Sequence, residues 1–334
     1  MNFLLLAGEG TIYVTKWAVA LRTLGHNIHT ICTRVCNPDL DDMYSPIATG
    51  ETAMWEEQVM SAPSPDICIC FGEPGGIARI VRDRRPDWTI VYVATNFICD
   101  SDAIHGDSAR AADYILAPSD GFLGRLERAC ELELKGKASV PGSVVYPAVP
   151  RKMKEAIHKI PRVGPKRPGF VYEGGIGVDP VWRDYREVVR KSSEFGIPFS
   201  LYSASYMNGS KYLDLQDYLK CGGIVHQPLD YMSMLRQLRY YQCGWACGGN
   251  EKFATGSCVT NKFFEYDAAG IPVVTDAGSE LGKLTMFYGI GYAVNRSKPL
   301  HYQDIIKCCS KRKTGRLPDM EQVITNAFKE LGVF

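Results

Sequence analysis

The chain has 334 residues, a hydrophobic fraction of 46% and a net charge of +1. That length suffices for two domains with separate cores, and no apolar run reaches the roughly 20 residues that span a bilayer. The charge balance excludes a generally basic nucleic-acid binder. The twelve cysteines show no paired C-x-x-C arms, which argues against a structural zinc site and for reduced thiols in a cytoplasmic setting.

Through the first half, apolar strands alternate with helical stretches, the pattern of a parallel sheet. Residues 3–7 read as the first strand. No basic residue precedes them, and Gly8-Glu9-Gly10 ends the run too early for a signal peptide. Residues 13–24 carry Trp17, Ala20, Leu21 and Leu24 at helical spacing. Gly25-His26 closes that helix, and 28–32 is the second strand. Cys32-Thr33-Arg34 follows where a dinucleotide site needs an acidic residue, and Tyr13 stands at the third glycine position, so a nicotinamide enzyme is not expected. Further strands are expected at 67–71, 89–94 and 114–116, then a helix after Pro118-Ser119, with 144–147 ending the set. Cys68 and Cys70 alternate within an apolar strand as small core residues do. In such sheets the carboxyl ends of the strands face the ligand. Asp100, Glu73 and Glu9 lie just past such ends, with Asp102 and His105 near Asp100. Each carboxylate has the chemistry to orient or deprotonate a hydroxyl, and Asp100 ranks first.

Pro150, Pro161, Pro165 and Pro168 mark a linker, and a second α/β series follows it. A strand at 170–172 leads into Glu173-Gly174-Gly175, where missing side chains let backbone N–H groups approach a phosphate. A helix over 180–195 carries Arg183 near its start. Strands at 199–202 and 224–225 follow, the latter before His226-Gln227-Pro228. A helix over 231–241, a strand over 242–246 and a terminal helix over 319–331 complete the series. Charge divides between the halves: residues 1–150 hold 12 Lys/Arg against 19 Asp/Glu, and 151–334 hold 26 against 18. Two runs supply the second excess. Residues 151–167 contain seven Lys/Arg and one Glu, and 307–316 contain five Lys/Arg and no acid. In the first half only Arg79, Arg82, Arg84 and Arg85 form a dense basic stretch.

The most informative segment is Thr260-Asn-Lys-Phe-Phe-Glu-Tyr-Asp-Ala-Ala-Gly-Ile-Pro-Val-Val-Thr275. It reads as a helix capped by Thr260, ended by Gly270 in the left-handed conformation, and followed by a strand at Val273-Val274. Asn261, Lys262 and Glu265 share one face at the helix start. A cation beside unpaired backbone N–H groups suits phosphate, and a carboxylate one turn later suits a ribose diol.

The segment resembles the donor-binding motif of GT-B glycosyltransferases, especially glycosyltransferase family 4 and related nucleotide-sugar-dependent enzymes. Weaker similarities follow in chain order at Gly25-His26, Ala112-Asp113-Tyr114-Ile115-Leu116-Ala117-Pro118-Ser119, Val145-Tyr146-Pro147-Ala148-Val149 and Val171-Tyr172-Glu173-Gly174-Gly175. The resemblance implies an α/β GT-B fold, with two Rossmann-like domains whose parallel sheets face a central cleft. Residues 1–150 are then the acceptor-binding domain, 151–167 the linker and 168–310 the nucleotide-sugar domain. Residues 311–334 are a C-terminal segment and helix that crosses back to the first domain. Glu265 takes the donor ribose, while Asn261 and Lys262 face the diphosphate. Gly174, Gly175 and Arg183 assist there, and His226 lies where family members hold the base. Many members carry a second glutamate seven residues before the first, but here that position is Cys258, with Glu251 further upstream. The implied activity is sugar transfer from a nucleotide-diphosphate sugar to a hydroxyl, with no obligatory cofactor and no metal. The acceptor is glycan or lipid-linked, or a hydroxymethylated DNA base as in bacteriophage enzymes. The runs at 151–167 and 307–316 are solvated linkers or contacts to an anionic surface. A non-catalytic nucleotide-binding module of the same fold is the alternative from another class.

Overall fold

The structure is a computed structural model that describes residues 1–7, 12–32, 47–49, 57, 59–72, 76–94, 102–134, 140–176, 184–203, 210–248 and 259–333. Two compact units make up the chain. The first comprises Met1–Lys152 and Pro318–Phe334, and the second Met153–Leu317.

The first unit runs β1 (Asn2–Ala7), α1 (Ile12–Thr23), β2 (Asn27–Cys32), β3 (Ile47–Thr49), β4 (Ile67–Phe71), α2 (Ile77–Arg84), β5 (Ile90–Val93), α3 (Asp102–Ala111), β6 (Tyr114–Ala117), α4 (Asp120–Leu134) and β7 (Gly142–Val144). Its sheet has seven strands in the order β3-β2-β1-β4-β5-β6-β7, and every pairing is parallel. Continuous apolar runs make the central strands: all residues of β4 and β5 are buried, as a parallel sheet covered on both faces requires. The strand expected at 144–147 lies earlier, at 142–144; Pro147 and Pro150 have no N–H to continue a ladder.

Helix α5 (Arg151–His158) occupies the first half of the span expected to be a linker. Met153 and Ile157, four apart, are its buried face, and the prolines at 161, 165 and 168 come only after it. The boundary between the units falls inside this helix, between Lys152 and Met153.

The second unit continues with β8 (Arg167–Glu173), α6 (Arg186–Glu194), β9 (Phe199–Tyr202), α7 (Ser210–Lys220), β10 (Ile224–His226), α8 (Tyr231–Leu238), β11 (Tyr241–Trp245), α9 (Asn261–Ala268), β12 (Val273–Asp276), α10 (Glu280–Tyr288), β13 (Gly291–Val294) and α11 (Tyr302–Cys309). Its six strands are ordered β10-β9-β8-β11-β12-β13, all parallel. Phe170, Phe199, Trp245 and Tyr302 pack as an aromatic cluster in its core. The helix expected over 231–241 stops at Leu238, because a turn from Gln237 to Tyr240 precedes β11. Helix α6 starts at Arg186; residues 177–183, where its expected start falls, lie outside the described set.

Helix α12 (Met320–Glu330) returns to the first unit. Met320, Ile324 and Phe328 recur every four residues and are fully buried. Phe328 lies parallel to Phe3 at 6.1 Å between centroids and 6.2 Å from Trp17. The buried Glu321 carboxylate accepts from the Arg151 N–H at 3.0 and 3.2 Å, which satisfies a donor at the start of α5. Among the described residues no helix is long and apolar enough to cross a membrane.

Candidate functional site

In each sheet the strand order reverses next to the first strand of the unit: between β1 and β4 in the first, and between β8 and β11 in the second. The crevice outside the carboxyl ends at such a reversal is where open α/β sheets bind ligands. In the second unit two connections leave that point. One is the Gly174-Gly175 turn after β8. The other follows β11 and leads to α9.

These two connections bring Gly174 and Lys262 together across 88 positions of sequence. Gly174 has φ +122, a conformation L side chains rarely adopt. A Cβ there would stand 3.6 Å from Lys262 Cε and 3.7 Å from its Nζ. The ammonium also lies 5.1 Å from the Tyr172 ring centroid, a cation–π arrangement. The Tyr172 hydroxyl donates to the Gly175 carbonyl at 2.8 Å and fastens the turn to its own strand. The positive φ is what calls for glycine here, since a Cβ would meet the lysine only at ordinary contact distance, and the tyrosine face lies beside the charge.

One helical turn later, Glu265 is 2% exposed. Its Oε1 accepts from the Tyr231 hydroxyl at 2.7 Å, one of the several acceptor positions of a carboxylate. Tyr231 opens α8, whose start is capped by Asp230 accepting from the Ser233 N–H at 2.7 Å. The helix carrying Glu265 is also fixed from behind. The Tyr266 hydroxyl accepts from the Glu173 N–H at 3.2 Å and donates to the Trp245 carbonyl at 3.4 Å. Its ring covers Gly244 so closely that a Cβ there would lie 2.3 Å away. Asp267 is fully buried and accepts from the N–H groups of Gly315 and Leu317 at 2.7 and 3.0 Å. The residues of α9 thus have different neighbours: Lys262 meets the Gly174 turn and Glu265 the start of α8, while Tyr266 and Asp267 tie the helix to β8, β11 and the 315–317 turn.

Thr260 has the extended conformation of an N-cap, but its side chain makes no capping bond, against the expectation from sequence. Its Oγ1 is buried with no hydrogen-bond partner among the described residues. Gly270 ends α9 with φ +75, as expected.

His226 takes a different position from Lys262 and Glu265. Its ring stacks on Tyr202 at 4.4 Å and 10°. Its Nε2 lies 3.1 Å from both Ser200 Oγ and Tyr241 OH, and the Tyr241 hydroxyl accepts from Arg167 at 3.1 Å. Burial, with Arg167 adding to it, holds the imidazole below the ordinary histidine range. Because the folded state binds this proton less readily, stability is complete above the unfolded histidine value of about 6.5 and falls as pH drops below it. His226→Gln is expected to flatten that part of the stability curve between pH 7 and 5 in urea titrations. A curve identical to wild type contradicts this.

Asp276, the last residue of β12, and Arg296, just past β13, form a buried ion pair. Arg296 also donates to the Gly248 carbonyl at 2.8 Å, and the Gly248 N–H donates to Asp276 at 3.2 Å. Neither residue nor Tyr231 was singled out by sequence. A helix-opening tyrosine after Asp230 carries no spacing signal, and the pair becomes visible only when two strand ends are adjacent. Asp100, Glu73, Glu9, Arg183, Glu251 and Cys258 lie outside the described residues. Glu9 and Glu73 follow β1 and β4, the strands that flank the reversal in the first unit.

No family model and no curated protein matches the sequence. Solved structures do match in fold. An alpha-glucosyltransferase in complex with UDP and a 13-mer DNA containing an HMU base is 10% identical, with TM-score 0.68 over 99% of both chains. AviGT4, a glycosyltransferase involved in avilamycin A biosynthesis, is 10% identical, with TM-score 0.61 over 100% of this chain and 94% of that one. MnaA of S. aureus, in a co-structure with UDP, is 13% identical, with TM-score 0.65 over 100% and 97%. With two parallel doubly wound sheets and these neighbours, the chain has the GT-B fold.

Proposed function

We propose that the protein is a glycosyltransferase that moves a sugar from a nucleotide-diphosphate sugar to a hydroxyl acceptor. The observation that carries this reading is the assembly of Lys262, Gly174 and Glu265 at the strand-order reversal of the second unit. The Glu265 carboxylate, oriented by Tyr231, accepts from the ribose hydroxyls. Lys262 and the start of α9 take the diphosphate, and Arg183 is assigned there as well. The Thr260 hydroxyl, buried without a partner among the described residues, supports a polar ligand at that helix start. UDP in three similar structures supports a uridine nucleotide as the first probe.

In the proposed reaction the bond from sugar C1 to the diphosphate oxygen breaks, and the diphosphate leaves with the electron pair. The acceptor oxygen bonds to C1, and its proton passes to a carboxylate of the first unit. Asp100, Glu73 and Glu9 are the candidates. Lys262 and the N–H groups of the helix start stabilise the charge that grows on the leaving group, so no obligatory metal is assigned. The acceptor is a hydroxymethylated DNA base, or a glycan or lipid-linked hydroxyl. The alpha-glucosyltransferase with HMU-containing DNA supports testing the first of these.

The test is transfer from radiolabelled UDP-glucose to hydroxymethylated DNA and to glycan or lipid-linked acceptors. Lys262→Met is expected to lower turnover by about 10²–10³, the loss typical of one donor to a developing anion, while melting stays unchanged. If UDP binds and no labelled UDP-sugar turns over with any acceptor, the chain is a non-catalytic nucleotide-binding module and the proposal fails.

A further inference from the structure

The two basic runs, about 150 positions apart in sequence, meet at one edge of the second unit. The first approaches the carboxyl end of α9: His158 Nε2 lies 2.8 Å from the Ala268 carbonyl, and Lys166 Nζ donates to the Gly270 carbonyl at 3.4 Å. The second reaches the same turn, where Gly315 and Leu317 donate to Asp267. Arg316 adds a bond to the Tyr288 carbonyl at 3.3 Å, at the end of α10. Lys154 ties the runs together by donating to the Leu317 carbonyl at 3.0 Å. Lys166 and Arg312 line one cavity of about 90 Å³ with Gly270 and Thr314.

Topology identifies the edge. Residues 159–166, 239–240, 270–272 and 289–290 feed the amino ends of β8, β11, β12 and β13. They therefore lie opposite the carboxyl ends that carry Gly174 and α9. Lys159, Arg162, Lys311, Arg312, Lys313 and Arg316 are all exposed, and residues 159–167 and 305–317 contain no acid.

The same turns expose large apolar side chains. Val163 is 81% exposed and Ile160 58%, both inside the first run. Phe287 is 82% and Met286 62% exposed, in the last turn of α10 beside Arg316. Phe195, at the end of α6, and Leu219, at the end of α7, precede the amino ends of β9 and β10 and are exposed as well. Of the remaining exposed large apolar residues in the described part of this unit, Ile224 opens β10 itself and only Leu229 precedes a helix.

We infer that this edge is a docking surface for an anionic lipid membrane. Phosphates alone explain clustered cations but give no role to the bare valine and phenylalanine between them. An interface of acyl chains and anionic headgroups takes both kinds of side chain at once. The surface is built wholly from the second unit and does not depend on the donor reading.

The test is co-sedimentation of the full chain with vesicles of phosphatidylcholine and phosphatidylserine, and with vesicles of phosphatidylcholine alone. Wild type is expected to bind the first and not the second. The triple variant Lys311→Glu, Arg312→Glu, Lys313→Glu is expected to weaken binding at least 100-fold, from roughly fivefold for each cation lost. Val163→Ser with Phe287→Ser is expected to weaken it about tenfold at unchanged charge. These positions are exposed, so folding is checked by melting and UDP binding by calorimetry; a lost donor site then registers separately from lost membrane binding. Equal sedimentation with both vesicles, or none with either, overturns the inference. So does duplex DNA binding that the charge variant abolishes and the apolar variant leaves intact, because the surface is then a phosphate reader.

Discussion

Glu265→Ala is expected to weaken UDP binding by 100-fold or more with the fold intact. The magnitude follows from the bonds lost. Hydrogen bonds to a charged group contribute about 1.5–3 kcal/mol each, and a ribose offers two hydroxyls. Two such bonds amount to two orders of magnitude or more in Kd. The carboxylate is nearly inaccessible and held by Tyr231 at 2.7 Å, so it meets the ribose already oriented. Tyr231→Phe separates orientation from contact, since the ring stays and the hydroxyl goes; a loss of about tenfold is expected there. Glu265→Gln keeps the shape and the Tyr231 bond but removes the charge, and is expected to fall between the two. Calorimetry with UDP decides the matter. An unchanged Kd for Glu265→Ala, with melting as in wild type, removes Glu265 from the nucleotide site.

The site was legible in sequence to the extent that it lies on one helix. Asn261, Lys262 and Glu265 occur within five residues, so helical periodicity alone put them on one face, and α9 covers them. Gly174 was legible as a turn after a strand, but its contact with Lys262 depends on β8 and β11 being neighbours, a fact of topology. Tyr172 reads as one more apolar position in a buried strand; its role under the ammonium appears only with that pairing. His226 ends a short strand as expected, but the sequence does not reveal that Tyr202 and Tyr241 come from two other strands to hold it.

The sheets were more legible than the helices around them. Buried parallel strands are short and mostly apolar, which makes β4 and β5 plain and β9 nearly so. Helix α5 was hidden by composition: prolines and cations around it read as a linker, and only Met153 and Ile157 mark its buried side. Helices α10 and α11 were also missed. The buried face of α11 is Tyr302, Ile305 and Cys309, and that of α10 is Leu281, Gly282 and Thr285.

The second large effect concerns the other unit. Phe328→Ala is expected to destabilise the first unit by about 3–5 kcal/mol, the usual cost of deleting a buried phenylalanine. Phe328 has no exposed surface and meets the rings of Phe3 and Trp17, from β1 and α1. Met320 and Ile324 are equally buried, so a chain ending at Leu317 removes a whole face of that core. Phe328→Leu fills most of the space and is expected to cost less than half as much. The effect should be local, because residues 318–334 belong to the first unit and the aromatic core cluster around Phe170 and Trp245 in the second contains none of them. Hydrogen exchange distinguishes local from global loss. Amides of β1, α1 and β2 are expected to lose protection in Phe328→Ala, while those of α9 and β12 keep theirs and UDP still binds. Equal loss in both units would mean that they unfold as one cooperative body. A cost under 1 kcal/mol would mean that the terminal helix rests on the first unit without completing its core.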